Sequence, residues 1–277
     1  MNDSSAFPVE AYLRRIGLAQ LPAPTAAGLA QLVRAQLHGI AFENLDVLAG
    51  EEVAVDLSAV CAKILARGRG GYCFELNALL AEALRVAGFE FELRMSRVSF
   101  GRPAPGPRTH LLMVVRIDGE QWLADAGFGG PAPFGTVPLR ANECFAVEDR
   151  EFRFLPETGG HLHLQSREPG TAWANVYCID PGAVLPLDVE MANHFVSTWP
   201  RSPFRRMFMV QRQGPDSVCA IDGLALITRE RSSDATLRRR LEGATDLRNV
   251  LANVFGISVS DALASRAWSR ASECADD

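Results

Sequence analysis

Cys73 stands where a glycine-rich turn, Arg69-Gly70-Gly71-Tyr72, runs into an apolar stripe of helical period made by Leu76, Leu79, Leu80, Ala83, Leu84 and Ala87, with Gly88 as the stop. The thiol therefore falls in or beside the first turn of a helix, where unpaired backbone N–H groups and the positive dipole end favour negative charge. Positions of that kind can draw a cysteine from about 8.5 down to roughly 3.5–7.5, which makes a nucleophile at neutral pH. Residue type alone argues the other way, since free cysteine is among the most often buried residues. Its partners decide between the two.

Those partners lie on a hairpin. The apolar run 110–117, the pair Asp118-Gly119 and the run 120–125 read as two strands around a type I′ turn. Counting outward from the turn, Ile117 faces Glu120, Leu112 faces Asp125 and His110 faces Gly127. His110 and Asp125 then share a face as diagonal neighbours, about 7–8 Å apart at the backbone, close enough for imidazole and carboxylate to meet. A slip of one residue would put them on opposite faces. Cys73, His110 and Asp125 thus fit the roles of nucleophile, base and orienter: His110 takes the thiol proton, and Asp125 fixes the ring tautomer and stabilises the imidazolium.

The elements that must position these groups follow from changes of period. Up to Gly88 the chain reads as mainly helical, with Thr25 ahead of Leu29, Leu32, Val33 and Leu37, and Ser58 ahead of Val60, Ile64 and Leu65. Beyond it the period becomes two: Phe89, Phe91, Leu93 and Met95 alternate with Glu90, Glu92 and Arg94, and strands continue through 144–155 and 162–166. A Pro/Gly loop is expected at 101–107. Residues 187–200 lose clean periodicity and read as a connection crossing the site. Strands are expected at 207–210, 218–221 and 224–227, the last two around an Asp222-Gly223 turn, with helices from Thr236 and Thr245 closing the chain.

With 277 residues, 48% of them hydrophobic and 22% charged, the chain can bury a large core in two or three domains. A net charge of −5 argues against a general nucleic-acid or anionic-membrane surface. No apolar run approaches the ~20 residues of a membrane span, and the N-terminus lacks the pattern of a secretory signal, so a cytoplasmic protein is expected. The cysteines, Cys61, Cys73, Cys144, Cys178, Cys219 and Cys274, are scattered and expected to be reduced. Without a CxxC pair, and with His161-Leu162-His163 reading more simply as alternate strand positions, no metal is expected. Lys63 is the only lysine, a bias that points to genome composition more than to function.

Several motifs in order carry a resemblance: Tyr12-Leu13-Arg14-Arg15-Ile16-Gly17-Leu18, His38-Gly39-Ile40-Ala41-Phe42-Glu43-Asn44-Leu45-Asp46, the segment 69–77, Thr109-His110-Leu111-Leu112, Asp125-Ala126-Gly127-Phe128-Gly129, and the run 193–204 from Asn193 to Phe204. Together they are specific, where a lone Cys or Gly-Phe-Gly would be weak. On them the chain resembles the bacterial arylamine N-acetyltransferases, departing at Ala41 and Ala126, where proline and valine are common. The resemblance implies an α+β fold with a cysteine-protease-like catalytic core: a helical bundle over 1–88 carrying Cys73, a β-barrel over 89–190 carrying His110 and Asp125, and an interdomain segment with an α/β lid over 191–277. It implies a ping-pong acetyl transfer from acetyl-CoA through a Cys73 thioester to an arylamine, arylhydrazine or N-hydroxyarylamine, with no metal, nucleic acid or membrane involved. It places Phe42, Tyr72, Val98, Phe128 and Phe204 at the acceptor pocket, Gly127 and Thr198 near CoA, and Arg69 in a structural pair with Glu43 and Asn44. Two other readings stay open on the residues alone: a Cys-His-Asp hydrolase or transglutaminase-like enzyme, and a non-catalytic binding module in which Cys73 is structural.

Overall fold

The computed structural model describes residues 7–100, 104–233 and 235–275; residues 101–103 of the expected 101–107 loop lie outside them. The chain opens with α1 (Val9–Ile16), α2 (Ala26–Gly39), α3 (Leu45–Leu48), α4 (Leu57–Cys61), which runs on into a π-helical turn, and α5 (Cys73–Val86). Thr25 caps α2 as expected, its hydroxyl accepting from Gly28 N at 3.1 Å. At α4 the cap is Asp56, not Ser58: its carboxylate accepts from Ala59 N at 2.9 Å and so sets the helix start two residues earlier. Buried polar links tie the bundle together, with Tyr12 OH donating to Gln36 Oε1 (2.7 Å) and Gln36 Nε2 donating to the Leu76 carbonyl (2.8 Å). These fix α5, and so Cys73, against α1 and α2.

Next come β1 (Glu90–Val98), β2 (Arg108–Ile117), β3 (Glu120–Ala124), β4 (Cys144–Val147), β5 (Arg150–Pro156), β6 (Leu162–Arg167) and β7 (Ala174–Ile179), hydrogen-bonded in the order β3-β2-β1-β7-β6-β5-β4. This antiparallel sheet curls into a half-barrel, with isolated bridges Trp122–Pro138 and Ala141–Phe154 linking β3, through the 138–141 segment, to β5. The β2–β3 turn is as expected: Ile117 pairs with Glu120, and Asp118 and Gly119 both have positive φ (51° and 81°), as a type I′ turn demands. Both faces of β2 are buried. Leu111, Met113, Val115 and Ile117 pack on the helices, whereas Leu112 and Val114 join Phe152, Phe154, Leu164 and Tyr177 inside the half-barrel.

The remainder comprises α6 (Pro186–Thr198), a four-stranded sheet of β8 (Met209–Gln213), β9 (Ser217–Asp222), β10 (Ala225–Glu230) and β11 (Thr236–Arg240), then α7 (Ala244–Asn253) and α8 (Asp261–Ala275). Three sequence expectations fail here. The irregular connection at 187–200 is largely the helix α6, begun by Pro186 at its first position and by Asp188, whose carboxylate accepts from Leu185 N at 2.8 Å. Its period is hidden because apolar residues occupy two sides, Ala192 and Val196 buried, Leu187 and Met191 exposed. Thr236 starts a strand, not a helix: all of β11 is exposed, so no apolar helical face exists to dock, and the ladder to β10 (Thr228 with Leu237) decides the conformation. In the β9–β10 turn Asp222 pairs with Ala225, so the loop is Gly223-Leu224, shifted by one to place Gly223 (φ 56°) at the first loop position. A boundary at 190/191 would also cut through α6.

Candidate active site

Cys73 is the first residue of α5, and its thiol donates toward the Thr109 carbonyl (3.6 Å) and shares a cavity wall with the His110 ring, whose charged form it favours. On the other side of that ring, His110 Nε2 lies 2.7 Å from Asp125 Oδ2. All three residues are buried. The contact depends on the hairpin register, since pairing of Met113 with Ala124 sets Asp125 beside Leu112 and carries His110 onto the same face.

Asp125 is enclosed by donors. Asn77 Nδ2 (2.9 Å) and Gly127 N (3.0 Å) reach Oδ1, while Tyr177 OH (3.0 Å) joins His110 at Oδ2. Burial opposes charge on Asp125, but His110, Asn77 and Gly127 outweigh it and hold the carboxyl below its ordinary range. For His110 burial likewise favours the neutral ring, yet Asp125 and then Cys73 prevail and raise it to about 10. The site is thus built around an imidazolium–carboxylate pair. Asn77 also donates to Leu111 O (2.6 Å) and accepts from Ala126 N (3.0 Å), stitching α5 to β2 and to the segment after β3. Gly127 is required by this packing: a Cβ there would sit 2.6 Å from Asn77 Nδ2 and 2.9 Å from Cys73 Cα. Asn77 was within reach of sequence reasoning, one helical turn beyond Cys73. Tyr177, 52 residues from Asp125, carries no local signal.

The thiol opens into a cavity of about 460 Å³ lined by Phe42, Val98, Phe128 and Phe204 among the expected residues, together with His110 and Gly127. Phe128 meets the His110 ring edge-on at 5.0 Å, and Phe42 and Phe204 face each other at 6.3 Å. Phe195, Trp199, Met207 and Met209 also line it, delivered by α6 and the segment beyond; the sequence leads one to expect that 187–200 crosses the site, but does not single out these side chains. Tyr72 is not in the lining. Its ring packs edge-on against Phe74 and Phe204, and its hydroxyl donates to Asn193 on α6, whose amide donates to Val53 O (2.9 Å). Thr198 also lies elsewhere, in a polar groove of about 730 Å³ with Glu51, Glu52, Asp56 and Glu190, its hydroxyl donating to His194 O (2.6 Å).

Beneath the Cys73 turn lies a buried charge network. Arg69 Nε donates to Glu43 Oε1 (2.9 Å) and its Nη2 to Asp46 Oδ1 (2.7 Å). The expected Asn44 contact is absent from this pair; Asn44 instead donates to Phe204 O (2.8 Å) and Met207 O (2.9 Å) and accepts from Met209 N (2.8 Å), anchoring the far wall of the cavity. Lys63, read from sequence as a compositional accident, bridges Asp46 Oδ2 and Glu75 Oε1 at 2.7 Å each. Glu75 in turn accepts from Tyr72 N (3.1 Å), capping α5 at the nucleophile.

A family model described as N-acetyltransferase matches residues 25–264. The arylamine N-acetyltransferase / N-hydroxyarylamine O-acetyltransferase of Salmonella typhimurium is 35% identical over 254 residues, spanning 91% of this chain and 90% of its own. Among solved structures, the arylamine N-acetyl transferase of M. smegmatis matches with a TM-score of 0.89 at 30% identity over 98% of this chain and 100% of that one. The Mycobacterium marinum enzyme in complex with CoA matches with a TM-score of 0.86 at 30% identity over 96% and 99%. By sequence and by fold, the chain belongs to the arylamine N-acetyltransferase family.

Proposed function

We propose that the protein transfers an acetyl group from acetyl-CoA to an arylamine, arylhydrazine or N-hydroxyarylamine by a ping-pong route through Cys73. The observation that carries this reading is the Cys73–His110–Asp125 chain opening into an aromatic cavity. Cys73 sulfur attacks the acetyl carbon, the C–S bond to CoA breaks, and the CoA sulfur leaves with a proton supplied through His110. The acceptor nitrogen or oxygen then attacks the Cys73 thioester, His110 takes its proton, and the thiol is restored. Asp125 keeps the ring oriented and charged. Backbone N–H groups in the first turn of α5, which have no helical partner, suit the developing oxyanion. Each step is acyl or proton transfer, for which thiol, imidazole and carboxylate suffice.

Phe42, Val98, Phe128 and Phe204 give flat apolar walls that suit an aromatic acceptor better than an extended peptide. Tyr72 acts behind Phe204 and is not a substrate contact. Gly127, beside the thiol, is where the reactive end of CoA approaches; Thr198, its hydroxyl engaged on its own helix amid carboxylates, is dropped from the CoA site. The division into 1–88, 89–190 and 191–277 is retained as a functional one, with the second boundary moved ahead of Pro186. Free thiols at all six cysteines favour a reducing, cytoplasmic setting. Intact mass after mixing the protein with acetyl-CoA and no acceptor is the test. A single adduct of about 42 Da on the wild type, discharged by an arylamine and missing from Cys73→Ser, is expected for a thioester carrier. An adduct retained by Cys73→Ser overturns the reading.

A further inference from the structure

Directly behind Tyr177 the sheet carries a second group of ligating side chains that the transfer reaction does not use. Strand alternation turns Tyr177 and Leu164 into the half-barrel and their neighbours Cys178 and His163 to the opposite face, where those two are cross-strand partners. Glu157 follows β5 and is fixed by its N–H to His161 O (2.8 Å) at the base of the short β5–β6 turn. Its carboxylate reaches back over both neighbours, with Oε1 2.8 Å from His163 Nε2 and Oε2 3.9 Å from Cys178 Sγ.

We propose that Glu157, His163 and Cys178 form a binding site for one zinc-class divalent ion on the outer face of the half-barrel. The three ligand atoms all lie within 4.8 Å of one another, and this is the only such group among the described residues. Tetrahedral coordination at ~2.0–2.3 Å separates its ligand atoms by roughly 3.3–3.8 Å, so side-chain movements of about an ångström bring the three ligand atoms to that spacing. Sulfur, imidazole nitrogen and carboxylate oxygen are the donor set that selects zinc over calcium or magnesium. A simple ion pair accounts for His163 and Glu157 alone. It does not account for a thiol only 3% exposed facing the same carboxylate, with one ligand, Glu157, left 53% exposed as an entry point. The ion's two positive charges meet one thiolate and one carboxylate; Arg97, cross-strand to Cys178 on β1, adds a positive charge nearby and donates to Gly106 O (3.3 Å), while Asp180 is engaged by Arg108 at 3.3 Å.

Binding breaks the Cys178 S–H bond, forms a metal–sulfur bond and releases the thiol proton, because the thiolate is the ligand. His163 gives up the Nε2 proton it shares with Glu157, the neutral ring carrying its proton on Nδ1 and offering the Nε2 lone pair to the ion. The fourth position faces solvent and takes water.

The test uses the full chain carrying Cys73→Ser, so that the catalytic thiol cannot contribute. Titration of the metal-free chain with Co²⁺ is expected to give one ion per chain with a near-ultraviolet thiolate charge-transfer band and proton release, and Zn²⁺ is expected to displace the Co²⁺ and abolish the band with no further proton release. Cys178→Ser removes the band. His163→Gln, which keeps the thiol, weakens Zn²⁺ binding at least ~10-fold in competition with a chromophoric chelator, whereas His161→Gln changes it by less than ~3-fold. No charge-transfer band at stoichiometric Co²⁺, a band that survives Cys178→Ser, or His163→Gln binding as tightly as its parent overturns the proposal. His163→Gln keeps the test decisive should Cys178→Ser fail to fold.

Discussion

Replacing Lys63 by methionine isolates what the buried cation does for the nucleophile. Methionine matches the stem of lysine and removes only the charge, so cavity formation contributes little. Lys63 Nζ bridges Asp46 and Glu75, and the side chains concerned are 7%, 11% and 1% exposed. Asp46 keeps Arg69 at 2.7 Å in the variant; Glu75 keeps no cation. Loss of one partner from a buried pair costs about 3–5 kcal/mol, and at roughly 2–4 °C per kcal/mol for a chain near this size the melting temperature falls by about 6–20 °C. The sign of the pH dependence follows from Glu75. Burial raises its folded-state value to about 7 from 4.5, against the pull of Lys63. Between those values the folded protein holds a proton that the unfolded chain has lost, so stability falls as pH rises through that window. Without Lys63 the upper edge of the window moves higher, so the deficit relative to wild type widens above pH 7, by at most about 1.4 kcal/mol per pH unit. Because Glu75 caps Tyr72 N, acetyl loading of Cys73 slows as well, measurable by quenched intact mass well below the melting point. Thermal melts from pH 6 to 9 decide the matter: a drop under about 3 °C, or a gap that stays flat across the range, refutes the role assigned to Lys63.

Other outcomes are equally direct. In Asp125→Asn the downward push of burial on His110 is unopposed by a carboxylate, so the ring, charged in the wild type up to about pH 10, becomes neutral at pH 7; NMR of the ring nitrogens reads the change, and acetyl loading falls ~10²–10⁴-fold. Gly127→Ala forces a Cβ to 2.6 Å from Asn77 Nδ2 and 2.9 Å from Cys73 Cα, which costs about 1–3 kcal/mol in denaturant melts and slows loading more than it alters acceptor KM. Phe204→Ala removes a wall shared by Phe42 and Tyr72, so acceptor KM rises while the single-turnover rate of acetylation by acetyl-CoA stays within about threefold.

The parts of the site that sequence exposed are those fixed by local rules. Asp118-Gly119 permits one turn geometry, that turn sets a register, and the register brings His110 to Asp125. The helical stripe after Cys73 and the glycines before it place the thiol in or beside the first turn of a helix, and the helix starts at Cys73. What stayed hidden lacks a local signature. Tyr177 reaches Asp125 across 52 residues, and Lys63 could be understood only once Asp46 and Glu75 were seen on either side of it. The helix α6 escaped for a different reason: it covers the cavity with one flank and exposes another, so its apolar residues do not fall on a single stripe.

The first turn of α5 explains why two polar networks are buried so close together. Cys73 and Asn77, one helical turn apart, look toward the half-barrel, where Asn77 holds Asp125 and Ala126. Glu75, between them in sequence, points the opposite way into Lys63 while its second oxygen caps Tyr72. A helix end held from one side only could pivot, and a pivot of 1 Å at Cys73 would spoil its alignment with His110. Held from both sides, the nucleophile is fixed before substrate arrives. The buried charges therefore act as a clamp whose loss appears in the loading rate as well as in stability, a coupling that an apolar core of equal volume would not produce.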